Sequence, residues 1–297
     1  MYRSAVPAPP VTARRARCPA SSANLGPGFD TLAVALALYV EVEVRPGEGL
    51  RLRADGEGRD LPADHTHLAA RVAIGVAGTE NLDIVVRSSI PVARGLGSSA
   101  ALAVAAAAAA GSEDPLGVAA AVDGHPENAA ASVLGGLVTA TTLGPDPVAA
   151  PLPLDDDLSF VVLIPDRALS TDHARSLLGP AVGRDDAVFN LGRMGLLIAG
   201  LADRSRLVRE ATEDRLHQQA RTPMFPAAPV LLAGLVDAGA RAACWSGAGP
   251  SLLAVCDREL GPTVRAAGEA LLLQAGVPGR ALHLDADRVG LVVELLG

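Results

Sequence analysis

The stretch Pro91-Val92-Ala93-Arg94-Gly95-Leu96-Gly97-Ser98-Ser99-Ala100-Ala101 decides how this chain is read. Before it, Leu82 to Val86 is apolar and β-branched and predicts a strand; after it, the alanine run predicts a long helix beginning near Ser98. Strand, glycine loop and helix, in that order, can cradle phosphate. Glycines let the backbone approach an anion because no Cβ stands in the way, and the first N–H groups of a helix have no intrahelical partners. With the positive end of the helix dipole added, a di- or triphosphate is stabilised without a lysine. The hydroxyls of Ser98 and Ser99 either cap the helix or reach a phosphate-bound Mg²⁺. The plainer alternative is a tight loop with an ordinary N-cap, and the loop alone does not choose between the two.

The chain has 297 residues, 49% of them hydrophobic, enough for one large α/β domain or two of ordinary size. Aromatic residues make up only 2% and the formal charge is −8, so base stacking lacks material and a polyanion would be repelled. No nucleic-acid partner is expected, and Arg14, Arg15 and Arg17 read as a solvated arm. All 25 residues counted as Lys or Arg are Arg. Schiff-base, pyridoxal-phosphate and Walker A sites each need a lysine amine and are excluded, so phosphate or carboxylate must be held by Arg and by backbone N–H groups. Cys18, Cys244 and Cys256 are odd in number and widely spaced, which suggests neither a disulfide framework nor a zinc site, and points to a reducing compartment. Residues 1–16 lack the apolar core of a signal peptide and the alanine run is too short to span a bilayer. The expected location is the cytoplasm, with no membrane partner.

Residues 1–16 read as a disordered lead-in, with order beginning near Arg17. Tyr39-Val40-Glu41-Val42-Glu43-Val44 alternates with period two and predicts a half-exposed antiparallel strand. A helix is predicted over 67–77 and a strand over 135–142. The Pro- and Asp-rich stretch 144–157 has the composition of a linker, which divides the chain into domains 17–150 and 151–297. The second half reads as a buried strand at 158–164, helices near 172–178, 186–202, 204–216 and 227–238, and a hairpin-like pair at 241–245 and 251–256. A helix near 261–275 and a strand near 280–285 follow. Without a strict βαβ repeat, the fold class expected is α+β.

Two more small-residue loops accompany the first: Pro19-Ala20-Ser21-Ser22-Ala23-Asn24-Leu25-Gly26-Pro27-Gly28-Phe29-Asp30 and Ser246-Gly247-Ala248-Gly249-Pro250-Ser251. In order and approximate spacing the three resemble the motifs of the GHMP kinase superfamily. From about Arg17 onward the chain resembles the branch that phosphorylates L-homoserine. That resemblance implies a kinase using ATP and Mg²⁺, with a two-domain architecture. The N-terminal domain would resemble the second domain of ribosomal protein S5, the C-terminal domain would be ferredoxin-like, and the site would lie in the cleft between them. It also implies a homodimer. Pro91 to Ala101 matches the family's phosphate-binding motif, and Gly247 and Gly249 its C-terminal glycine motif.

A small amino-acid acceptor needs partners for a carboxylate, an ammonium and a hydroxyl. By the resemblance, Arg175, in the segment that also holds Thr171, and Arg221 fork onto the carboxylate. Asn24 and Asp30 match polar residues that contact substrate, Asp30 suiting the ammonium or hydroxyl; as loop residues they also suit Asx turns. Asp123-Gly124-His125-Pro126-Glu127-Asn128 resembles the branch's Glu-Gly-His-Pro-Asp-Asn with both acids exchanged in length. The match assigns Mg²⁺ to Ser98 and Asp123, the substrate pocket to His125, and a helix end to Glu127. Asn128 stands where mevalonate-type relatives place a catalytic Asp. Asn is no base, so catalysis would rest on positioning at Asn128 and Ser98, on neutralisation by Mg²⁺ and Arg, and on the loop dipoles. The hydroxyl proton passes either to a γ-phosphate oxygen or to water. For adenine the resemblance suggests the segment His65 to Leu68. Ala33 and Arg94 depart from the family's common residues, and Arg94 either adds charge beside the phosphates or points into solvent. Competing readings are a related kinase for another small carboxylated alcohol and a non-catalytic scaffold.

Overall fold

The computed structural model describes residues 11–297, in an α+β arrangement with two sheets. The chain begins with β1 (Arg14–Asn24), β2 (Gly28–Pro46) and β3 (Arg51–Gly56), then α1 (Leu68–Ala77) and β4 (Leu82–Ser88). After the glycine loop come α2 (Ser98–Ala110), α3 (Pro115–Asp123), α4 (Glu127–Leu134), β5 (Leu137–Leu143) and β6 (Asp146–Leu152). The second half runs β7 (Leu158–Pro165), α5 (Thr171–Ser176), α6 (Arg184–Ala202), α7 (Gln218–Arg221), α8 (Ala228–Asp237), β8 (Ala242–Trp245) and β9 (Leu252–Asp257). It closes with α9 (Gly261–Gln274), β10 (Gly279–Leu284) and β11 (Val292–Leu295).

The alternating Val40, Val42 and Val44 are buried as period two requires, while Glu43, on the other face, is only 9% exposed beneath its ion pairs with Arg15 and Arg45. Strand β2 is much longer than this alternation: it pairs with β4 through Val40–Pro46 and, further back, with β5 through Leu32–Val34. The first sheet has the order β11-β1-β2-β4-β3, with β5 on β2 and β6 beyond it. Helix α2 lies against this sheet, its residues Ala100, Ala101 and Ala103 to Ala109 all at or below 4% exposure. A helix apolar all round is a buried helix, and alanine lets its backbone approach the strands closely. The second sheet, β10-β7-β9-β8, is antiparallel and packs against α8 and α9 through Leu163, Leu231, Leu235 and Val264.

Four expectations need correction. The lead-in 1–16 falls partly outside the described residues, but Arg14 to Arg17 pair with both β2 and β11, so strand pairing starts at Arg14. The stretch 144–157 is no simple linker: Gly144, at φ +65°, turns the chain and Asp146–Leu152 pairs with β5. Its prolines 147 and 151 are tolerated because β6 is an edge strand. The division at 150 and 151 also leaves β11 of the second half in the first sheet. Finally, 204–216 is not one helix but two short 3₁₀ turns, Arg204–Arg206 and Arg209–Thr212. Asp203 accepts from the Ser205 N–H, and Asp214 from the N–H groups of Leu216, His217 and Gln218, diverting the backbone from a continuous helix. Among the described residues no helix is long and apolar enough to cross a membrane.

Candidate active site

The glycine loop leaves β4 and enters α2 with Gly95 at φ +74° and Gly97 at φ +64°. Both glycines are required by space as well as by backbone: a Cβ on Gly95 would run into the Ser246 carbonyl, and one on Gly97 into the Ser21 hydroxyl. Gly97 occupies the N-cap position, so no side chain caps α2 and its leading N–H groups are left for another acceptor. The ordinary N-cap considered for this loop is therefore not formed. The third glycine motif closes on it: Ser246 Oγ donates to the Gly95 carbonyl at 2.7 Å and lies 2.8 Å from Ser22 Oγ. The Gly247 N–H donates to the Ala23 carbonyl at 3.0 Å, joining all three loops. The Arg94 guanidinium donates to the carbonyls of Val92 at 3.1 Å and Asp166 at 2.9 Å.

Residues Val92 to Ser99 line one wall of a cleft of about 380 Å³, which Asn24, Asp30, Thr171, Arg175, Arg221 and Gly247 continue. Three members of the expected motif lie elsewhere. Ala100 and Ala101 are fully buried in the core, one turn into α2, and Pro91 lines a separate surface cavity beside Arg94. Gly249 packs its Cα against the Trp245 ring rather than facing the cleft.

In the cleft lining, Arg175 donates twice to Asp30, at 2.6 and 2.9 Å. This charge-assisted pair raises the Arg175 pKa from its ordinary value, chiefly through the Asp30 bonds. The two residues are 145 positions apart, and sequence reasoning had assigned them separate partners. Asn24 uses both ends of its amide, accepting from the Asp30 N–H at 3.0 Å and donating to the Gly247 carbonyl at 3.0 Å. Asn24 and Asp30 both hold positive φ, 73° and 53°, conformations in which Asn and Asp are enriched. Arg221, 2% exposed, donates from Nη1 to the Gly247 carbonyl at 2.7 Å, while its Nε is buried without a partner. Burial, with Arg175 nearby, pushes its pKa down to about 10, which leaves it charged at neutral pH.

Across the cleft, Asp123 accepts from the hydroxyl of Ser99 at 2.9 Å, not from Ser98. Burial pushes the Asp123 carboxyl up, opposed by that hydrogen bond and by His125. His125 Nδ1 lies at ion-pair distance, 3.0 Å, from Glu127 Oε1 without hydrogen-bond alignment, and this partner raises the His125 pKa above its usual range. Glu127 does begin α4, as a helix-end residue, but it is only 1% exposed and lines the cleft. Its Oε1 accepts from Asn128 at 3.2 Å, and its Oε2 is buried without a partner. Asn128 Oδ1 accepts from the Ser21 hydroxyl at 2.8 Å, which fixes the amide beside Gly97.

Sequence reasoning missed Ser21, Ser22 and Ser246, although all three stand in the quoted loops. Serines next to glycine read as generic loop residues until their partners are known. A second, mostly apolar cavity of about 200 Å³ shares Val92, Ser98 and Ser99 with the cleft and runs on to Ala54, Val86 and Leu102. Of the segment His65 to Leu68, only His67 and Leu68 reach it, and His67 also caps α1 by accepting from the Ala69 N–H at 3.2 Å.

The chain matches the model of the GHMP kinases N terminal domain over residues 65–136 and that of the GHMP kinases C terminal over 197–271. It is 41% identical to a homoserine kinase of Rhodococcus erythropolis over 288 residues, covering 86% of this chain and 91% of that protein. A homoserine kinase of Thermus thermophilus is 40% identical over 279 residues, covering 90% of this chain and 94% of that one. Among solved structures, homoserine kinase from Cytophaga hutchinsonii superposes with a TM-score of 0.82 at 24% identity, covering 99% of this chain and 100% of the other. Mevalonate diphosphate decarboxylase from Staphylococcus aureus shares the fold at a TM-score of 0.64 and 15% identity, covering 96% of this chain and 99% of the other.

Proposed function

The chain belongs to the GHMP kinase family, and on that premise we propose that it is a homoserine kinase, transferring the γ-phosphate of ATP to the side-chain hydroxyl of L-homoserine. The observation that carries the substrate is the Arg175–Asp30 pair, which lines the same cleft as the phosphate loop. A zwitterion complements such a pair: its carboxylate meets Arg175 and Arg221, and its ammonium meets Asp30, so charges alternate in sign. Asn128 then stands between the acceptor hydroxyl and the loop.

For ATP, the uncapped start of α2 and the N–H groups of residues 94–99 receive the phosphates, and the adjoining apolar cavity takes the base. With no Phe, Tyr or Trp in the lining of that cavity, the base would be held there by shape and dispersion between Val86 and Leu102. Among the described residues no three His, Cys, Asp or Glu side chains cluster as a metal cage. The donors present suit Mg²⁺ all the same, since that ion takes one or two protein oxygens and completes its shell with phosphate and water. Asp123 and the Ser98 hydroxyl would hold it, and when bound it neutralises charge developing on the transferred group. Asn128 cannot take the hydroxyl proton, so positioning and electrostatics account for the rate. Three buried, unpaired cysteines agree with a reducing, cytoplasmic setting, and a homodimer is the family expectation.

The test is ADP release from Mg-ATP with L-homoserine, D-homoserine, L-serine, shikimate and mevalonate offered separately. Stimulation by L-homoserine above the others is the expected result. Clear turnover of a different alcohol would replace the substrate while leaving the kinase reading intact. Absence of turnover with every alcohol would favour the non-catalytic scaffold, against which the retained Gly95, Gly97 and Gly247 now stand.

A further inference from the structure

His217 has no part in the reaction described above, yet its ring is fully buried behind Arg221, which lines the cleft. It directly precedes α7, and its backbone is held by Asp214, whose Oδ2 accepts from the His217 N–H at 2.8 Å. The ring Nε2 lies 2.8 Å from the carbonyl of Gly26, in the loop that carries Asn24 and Asp30. A carbonyl oxygen only accepts, so Nε2 carries the proton. Nδ1 is then a lone-pair acceptor, and Arg221 Nη1 lies 2.9 Å from it. The assignment is self-consistent, because a doubly protonated ring would aim an N–H at a guanidinium that is itself donor-only. Phe29 stacks on the other side of the imidazole with ring centroids 5.1 Å apart, and the Arg221 guanidinium sits 5.6 Å from the Phe29 ring centre.

These contacts determine which edge of Arg221 is left over. Nη1 has two hydrogens, and both are engaged, one by His217 and one by the Gly247 carbonyl at 2.7 Å. Nε is buried with no partner, and Nη2 makes no hydrogen bond among the described residues. Nε and Nη2 form the side-on fork of a guanidinium, the geometry that takes a carboxylate through two parallel bonds. We propose that His217 is a positioning residue: as a neutral Nε2–H imidazole it ties Arg221 to the Gly26 loop and turns the Nε/Nη2 edge toward the substrate carboxylate. This deepens the proposed function and rests on its reading of Arg221 as a carboxylate ligand.

Two near-isosteres separate the roles of the ring nitrogens. In His217→Asn the amide oxygen can take the place of Nδ1 and keep the bond to Arg221; in His217→Gln the amide N–H can take the place of Nε2 and keep only the bond to Gly26. Steady-state kinetics on the full chain should show KM for L-homoserine raised on the order of 10- to 100-fold in His217→Gln, as expected when a buried charge loses its hydrogen-bonded partner. His217→Asn should recover most of that loss, and KM for ATP should stay within about twofold in both. Made in an Arg221→Met background, His217→Gln should add nothing, because the two act through one contact. Equal rises in both KM values, or full additivity with Arg221→Met, would overturn the proposal and make His217 a general packing residue. If Arg221→Met alone leaves KM for L-homoserine unchanged, the carboxylate reading of Arg221 has failed instead, and the positioning role falls with it.

Discussion

Substituting Gly97→Ala tests whether the phosphate loop depends on a glycine for its shape or merely tolerates one. The residue sits at φ +64°, where an alanine is strained by about 1–2 kcal/mol. The new methyl would also overlap Ser21 Oγ and come within 3.0 Å of Asn128 Oδ1. Ser21 is fully buried, so its hydroxyl can yield only by breaking its 2.8 Å bond to Asn128, and an orphaned buried hydroxyl costs about 1–3 kcal/mol. The two terms together destabilise by roughly 2–5 kcal/mol, or a fall in Tm of roughly 3–8 °C for a protein of this size. Differential scanning fluorimetry of the unliganded protein reads the first effect, and KM for ATP with kcat reads the displacement of loop and Asn128. Adding Ser21→Ala separates the terms. The would-be methyl then meets the residue 21 Cβ at 3.3 Å and Asn128 Oδ1 at 3.0 Å, so the overlap with the hydroxyl is relieved while the backbone strain stays. About half the lost stability should return. A Tm within 1–2 °C of the parent in Gly97→Ala, or no recovery in the double variant, would refute the steric reasoning.

Arg175→Ala should raise KM for L-homoserine by about 30-fold or more, since truncating one member of a hydrogen-bonded charge pair commonly costs 2 kcal/mol or more, and should barely move KM for ATP; an equal rise in both would make the residue structural. Glu127→Gln removes the partner that raises the His125 pKa, so in an NMR titration that pKa should fall toward its ordinary value, and no change would separate the two groups. In the parent protein the raised His125 pKa favours the folded state, fully so below the unfolded value near 6.5, and the advantage disappears as pH rises through the folded pKa. Glu127→Gln should therefore lose stability mainly at the acid side of that window, read as a Tm difference between about pH 6 and pH 8 that narrows at the higher pH. Ala54→Trp should fill the apolar cavity beside the loop and raise KM for ATP at least tenfold with KM for L-homoserine little changed; the reverse pattern would place the base elsewhere.

Much of the fold was legible because it has a local cause. Period-two valines made β2 visible over 39–44, the alanine run made α2 visible, and the glycines between them marked the phosphate loop. Segments governed by side-chain bonds to the backbone were not legible. The turns around Asp203 and Asp214 took the place of a helix over 204–216, and the edge strand β6 resembled a linker because edges accept proline. The place of the glycine loop between strand and helix followed from sequence, and so did many of the residues that line the cleft, once the three loops were matched together.

How those residues face one another was decided only by the tertiary structure. Asp30 meets Arg175 across 145 positions, Ser21 meets Asn128 across 107, and His217 meets Gly26 across 191. No periodicity or propensity encodes such distant pairings, because they arise when two separately specified sheets dock and bring loop ends together. The absence of lysine determined, from composition alone, that arginine and backbone N–H groups must hold every anion. Which edge of Arg221 remains free to do so depends on hydrogen bonds from His217 and Gly247, and those exist only in the folded chain.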